Sequence, residues 1–196
     1  MSQLGRRAVL AFAGALAGCS VLPQRPYEER REWPLDVRRP TTEPANQHGP
    51  VLLVRSLRAG PGLDERGLRT VQADGAEKVD YWEEWAVPPP QAVEDALRQW
   101  LMASGKFTAV VAPGSQLQPT LILEGELLAL AADLATAQAR ASLSIVLLRS
   151  DGGRREPVLQ QSFTGMAPLR GHDGPALADA MRRAVAVVLS DAERAI

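Results

Sequence analysis

After the proline run Pro88-Pro89-Pro90, the chain places Val93, Ala96, Leu97, Trp100 and Leu101 at i, i+3, i+4, i+7 and i+8. That spacing predicts a helix over 91–104 with one apolar stripe. Proline suits its first turn, where the missing N–H has no partner anyway, and Gly105 supplies a stop. A second stripe, Leu177, Met181, Ala184, Val185 and Val188, follows Gly174-Pro175. A one-sided helix must bury its stripe against something. The rest of the folded region offers strands. Ala137, Ala139, Ala141, Leu143, Ile145 and Leu147 alternate with Gln138, Arg140, Ser142 and Ser144, the period of two of a half-buried strand. Ser150-Asp151-Gly152-Gly153 then turns the chain, and residues 157–164 pair back.

Further strands are expected over 51–57, 68–72, 78–86, 107–111 and 120–130, with Gly125 marking a bulge. The Asp74-Gly75 pair is a hairpin signal between the second and third. The order β-β-β-α-β-β-β-β-α is rich in hairpins and contains only two helices. The fold class is therefore α+β: two layers, a mostly antiparallel β-sheet with two amphipathic helices packed on one face.

The amino terminus reads MSQLGRRAVLAFAGALAGCS. Arg6 and Arg7 form a positive region, residues 8–16 are apolar, and small residues lead into Cys19, as in a secretory signal. Leu16-Ala17-Gly18-Cys19 has the form of a bacterial lipobox: an apolar residue, two small ones, and a thiol to be acylated at the cleavage point. A plain signal peptide with a chance cysteine is the alternative. Residues 1–18 are thus a lipoprotein signal peptide and Cys19 the lipidation site. Two or more acyl chains hold a protein to a bilayer far better than one. Ser20, a non-acidic residue after the cysteine, goes with sorting to the outer membrane.

Residues 19–50 read as a lipidated tether. Pro23, Pro26, Pro34, Pro40, Pro44 and Pro50 and two charged clusters keep this stretch poor in core formers. Fully stretched, it reaches at most about 100 Å. Tyr27, Trp33 and Leu35 interrupt the pattern and are free to dock on the domain or on a neighbour, or to stay solvated. The domain itself spans 51–196.

Other functions are excluded more easily. A net charge of −1 gives no basic face for nucleic acid. No apolar run reaches the roughly 20 residues of a membrane-spanning helix. One cysteine rules out an internal disulfide framework and a cysteine-based zinc site. No cofactor motif and no nucleophile elbow, phosphate loop or His-Glu-x-x-His is found. His48 lies in the tether, and His172-Asp173 precedes the last helix as capping chemistry. Glu124 and Glu126 share one strand face, a pattern open to acid–base or metal chemistry but usual on a solvated face. A periplasmic hydrolase would require them to meet His172 in a pocket.

Four stretches carry a resemblance: the lipobox ending at Cys19, VLLVRSLRAGPGLDERGL from Val51, VDYWEEWAVPPPQAVEDALRQWLMASGKFTAVV from Val79, and TLILEGELLAL from Thr120. With these the chain resembles the ABC-type transport auxiliary lipoproteins, the PqiC-like group. The resemblance implies a non-enzymatic, periplasm-facing lipoprotein of the outer membrane. Its partners would be an MCE-domain protein and ABC transporter components that move lipid between membranes. It also implies a docking or channel-end role, with some members forming homo-oligomeric rings. A second reading is an outer-membrane assembly lipoprotein similar in anatomy to the lipopolysaccharide-assembly lipoprotein.

Partner contact is expected at Tyr81, Trp82 and Trp85. Strand alternation puts Tyr81 and Trp85 on one face and Trp82 on the other, and aromatics that escape the core anchor interfaces. Asp64 and Arg66, in the glycine-rich loop 59–67, are further contact candidates.

Overall fold

The computed structural model describes residues 29–196. Among these residues there are nine strands, β1 (Arg31–Trp33), β2 (Val51–Val54), β3 (Arg58–Ala59), β4 (Gly67–Val71), β5 (Glu77–Trp85), β6 (Ala109–Val111), β7 (Leu121–Asp133), β8 (Gln138–Asp151) and β9 (Arg154–Pro168). The helices are α1 (Pro89–Ala103) and α2 (Gly174–Ala195). The chain is α+β, with one large, mixed and mostly antiparallel sheet and the two helices against it, as the alternation and the stripes imply.

Strand β7 organises the sheet. Along one side it pairs antiparallel with β8, from Leu121↔Arg149 to Asp133↔Gln138, and β9 returns on the far side of β8. Along its other side three short strands follow one another in parallel: β2 at Leu121–Leu123, β3 at Glu126–Leu127, and β4 at Ala132–Asp133. Beyond β2 lies β6; beyond β4 lie β5 and then β1. The parallel pairings are numerous but short, so the long β7–β8–β9 meander dominates.

The period of two is visible in the burial. Ala139, Ala141, Leu143, Ile145 and Leu147 all point into the core, where Leu177, Met181, Ala184, Val185 and Val188 of α2 cover them. Helix and sheet approach closely at Gly165, where a Cβ would collide with the Ala184 carbonyl and meet Val187 Cβ at 2.9 Å. Asp173 caps α2 by accepting from the Ala176 N–H at 3.1 Å, and Gly105 follows α1 in the left-handed region at φ +72°.

Two local expectations change. Ala137 is not the first inward residue of its strand but an exposed turn residue at φ +53°. Gly125 stays in register opposite Ile145, and the irregularity falls between Leu127 and Ala129 instead. Gly125 is there for space, since a Cβ would meet Ser144 O at 2.8 Å and Leu57 Cδ2 at 2.9 Å.

The larger difference concerns the segment expected as tether over 19–50, whose later part packs on the domain. Arg31–Trp33 pairs with β5 as an added edge strand. Leu35 and Val37 are 6% and 5% exposed and belong to the core. The Glu43 and Asn46 N–H groups donate to the Ala103 and Gly105 carbonyls at 2.9 and 3.1 Å. The proline and charge content is real, but every second residue after Trp33 is apolar (Leu35, Val37) and meets α1 beside its small Ala92 and Ala96. Of the three tether residues singled out, Trp33 and Leu35 dock on the domain; Tyr27 lies outside the described residues, as do the signal peptide and Cys19.

Glu193 ties this arm to both helices. Its carboxylate accepts from Arg39 Nε at 3.1 Å and from Trp100 Nε1 at 2.6 Å, and Lys106 Nζ donates to its carbonyl. Burial works against the charge, but the bonds from Arg39 and Trp100 and the nearby cations outweigh it. They hold the Glu193 carboxyl below the usual carboxylate range.

Candidate functional site

The aromatic stretch of β5 sits on a large bulge. Gly67 opposes Glu84, but Arg69 opposes Val79. A two-residue step on β4 is thus matched by a five-residue step on β5, and the surplus loops outward. Asp80 stabilises the loop: its Oδ1 accepts from the Trp82 N–H at 2.8 Å and the Glu83 N–H at 3.0 Å, an Asx turn. Gly67 is required beneath it, because a Cβ there would collide with the Asp80 carbonyl and meet Val79 Cγ1 at 2.5 Å.

The bulge breaks the alternation on which the sequence argument relied. Tyr81 is 63% exposed and Trp82 38%, whereas Trp85 is 1% exposed and part of the core. Tyr81 and Trp85 therefore do not share a face. The two exposed rings meet edge to face, with centroids 4.9 Å apart and planes at 88°. The Arg30 guanidinium lies over the Tyr81 ring, 3.8 Å from its centroid.

Beside the rings is an open depression of about 430 Å³ lined by Arg30, Glu65, Arg66, Asp80, Tyr81 and Glu84 among others. Arg66 and Tyr81, two of the expected contact residues, thus border one site. Arg66 also has an internal task. It donates to Glu84 Oε1 at 2.5 Å and to the Ala86 carbonyl at 3.0 Å, and it pairs with Glu32 at 3.4 Å. Arg66 and its partners clamp the bulge, the edge strand and the segment that leads into α1 together. Asp64 is exposed on the neighbouring loop and does not line the depression. Arg30, Glu83 and Gly67 were not singled out from the sequence. Glu83 accepts from Trp33 Nε1 at 2.7 Å and pairs with Arg31 at 2.6 Å, which fastens β1 to the bulge. The opposite charges of Arg30-Arg31 and Glu83-Glu84 were the only hint of this.

The other carboxylate pair is held in ion pairs. On the helix-free face of the sheet, Glu124 pairs with Arg55 at 2.8 Å and Glu126 with Arg58 at 2.9 Å, around a depression of about 400 Å³. Each carboxylate faces an arginine. His172 is exposed in the loop before α2 and does not line that depression. Among the described residues no group of three His, Cys, Asp or Glu side chains is placed to hold a metal, and no helix is long and apolar enough to cross a membrane.

Comparison with known proteins fits this architecture. The crystal structure of protein XCC0632 from Xanthomonas campestris, of family DUF330, is 26% identical and superposes with a TM-score of 0.68, covering 80% of this chain and 89% of that one. A crystal structure of an uncharacterised protein gives a TM-score of 0.63 at 13% identity, covering 82% of this chain and 98% of that one. Protein CT253 from Chlamydia trachomatis gives 0.51 at 9% identity, covering 74% and 96%; these last two likenesses are of fold alone. No curated protein matches the sequence. The family model for the ABC-type transport auxiliary lipoprotein component matches residues 33–192, which takes in Trp33, the aromatic bulge, strands β2 to β9 and nearly all of α2. The chain therefore belongs to the ABC-type transport auxiliary lipoprotein family.

Proposed function

We propose that this protein is a non-enzymatic subunit of an MCE/ABC-type intermembrane lipid transport system. It is anchored through Cys19 to the outer membrane, faces the periplasm, and serves as a docking or channel-end component. The observation that carries this reading is family membership, matched over residues 33–192. The lipobox and Ser20 support the anchor and its membrane.

The packing supports a docking role over a carrier role. Helix α2 lies so close to β9 that backbone meets backbone at Gly165, and the side chains between helix and sheet are fully buried. An acyl chain has no room there, because interiors of this density hold few voids. Lipid would pass along a surface or through an assembly of several copies, such as a homo-oligomeric ring. Strand β9 offers an edge for such assembly: it pairs only with β8 among the described residues, and carries no charge from Val158 to Pro168.

The test is native extraction from membranes with a gentle detergent, followed by affinity capture of the full-length protein. Co-purification of an MCE-domain protein is the expected result. A monomer that brings down no MCE component refutes the proposal.

A further inference from the structure

We infer that Tyr81 and Trp82 form a membrane-contact site, seated in the headgroup zone of the bilayer that holds the acylated Cys19. The inference rests on the lipidation reading and not on the identity of the transport system.

The first observation is where the chain leaves the folded body. Residues through Arg31 are fastened to the bulge, and Arg30 itself lies on the Tyr81 ring. The amino-terminal segment therefore departs from the same surface spot that displays the two rings. The second observation is the length that remains. Only residues 19–28 separate the thiol from the described chain. Ten residues stretch to at most about 36 Å. A folded body of about 170 residues has a radius of gyration of about 15 Å, hence a diameter near 40 Å. A connection shorter than the body it holds turns the exit surface toward the lipid.

The chemistry of that surface suits the zone it would meet. Tyrosine and tryptophan collect at membrane–water interfaces, where an apolar ring and a polar tip are both satisfied. The indoles of Trp33 and Trp100 already donate to Glu83 and Glu193, and Trp85 is in the core. Trp82 is the exposed tryptophan, and its indole N–H has no acceptor among the described residues. Arg30 on the Tyr81 face places a cation where lipid phosphates lie; the neighbouring Lys78 is exposed but shared with Asp80 at 3.8 Å. The bulge lifts both rings out of the sheet edge without disturbing the core beneath.

The mature acylated protein, reconstituted into vesicles of phosphatidylethanolamine and phosphatidylglycerol, provides the test. Its tryptophan emission is compared in vesicles with and without lipids brominated near the headgroup end of the acyl chains. Bromine quenches on contact, so emission falls in brominated vesicles, and Trp82→Phe abolishes that loss while near-ultraviolet circular dichroism reports an intact core. Protein that floats with the vesicles but shows no Trp82-dependent quenching overturns the membrane-contact site alone. Capture of an MCE-domain protein by a photo-crosslinker at position 82, with no quenching, replaces lipid by a protein partner and also overturns it. Protein that does not float overturns the anchor, and the contact site with it.

Discussion

Replacing Leu35 with alanine asks whether the proline-rich arm is fold or tether. Leu35 is 6% exposed and belongs to the same core cluster as Leu97 and Trp100 of α1. The substitution removes three carbons, about 2.4 kcal/mol at roughly 0.8 kcal/mol for each methylene-sized group. The gap left behind adds to this in a rigid core. Here the addition is small, because Leu35 borders an open depression shared with Ala92 and Ala96, and the arm can settle into it. The expected loss is therefore about 2–3 kcal/mol, near the low end for buried leucines. For a chain of this size that lowers the melting temperature by about 5–10 °C. Urea unfolding measures it directly, as a lower midpoint at unchanged slope. A loss below about 0.5 kcal/mol, the range of ordinary surface substitutions, would show that the arm is not part of the core and would return residues 31–50 to the tether.

Two further perturbations test the packing around α2. Gly165→Ala pushes a methyl into the Ala184 carbonyl, so it should destabilise by about 1–3 kcal/mol, as overpacking does; a neutral effect in the same urea assay would mean that α2 does not lie on β9 at this distance. Glu193→Gln removes a carboxylate whose folded value lies below the usual range. A depressed value contributes stability that is complete above the unfolded carboxylate value near 4.5 and is lost as pH falls through the folded one. The urea midpoints of wild type and variant should therefore differ at pH 7 and converge as pH is lowered from 4.5; parallel curves would rule out Glu193 as an ionised hub.

The parts of the fold that were legible from the sequence are those with one buried side. Helices α1 and α2 and strand β8 each repeat one pattern long enough for the period to stand out, and apart from Ala137 every residue of the stripes is buried, although Ala92, Ala180, Leu189 and the outward-expected Ser142 are buried as well. What escaped was short or non-local. Strands β1 and β3, of three and two residues, are defined only by their partners: β1 pairs with residues some fifty positions away. The site suffered most from an assumption of regularity. Strict alternation joins Tyr81 to Trp85 and opposes Trp82, but three surplus residues on β5 reset the phase between them. Asp80 two residues before Trp82 and Gly67 on the partner strand were the local signals, since an Asx turn and a side-chain-free neighbour are what such a bulge needs. Arg66 shows the converse. Its loop looked free for contact, yet the charge is already engaged by Glu84 and Glu32.

The docked arm changes what an anchored lipoprotein of this design can do. A free tether over 19–50 would let the domain sample about 100 Å above the lipid. With β1 paired and Leu35 and Val37 buried, only ten residues, at most about 36 Å if fully stretched, separate Cys19 from the described chain. If Cys19 is acylated as proposed, the domain is held at the membrane surface in a restricted orientation, and reaching another membrane falls to its partners. Orientation also costs a multicomponent machine less when it is fixed in advance, because a pre-oriented surface has less rotational freedom to lose on docking. The ion pairs from Arg31 to Glu83 and from Arg66 to Glu32, with the Arg39–Glu193 bond further along, fasten the arm to the domain; under the proposed anchoring they would set which face of the sheet meets lipid and which is left for a partner.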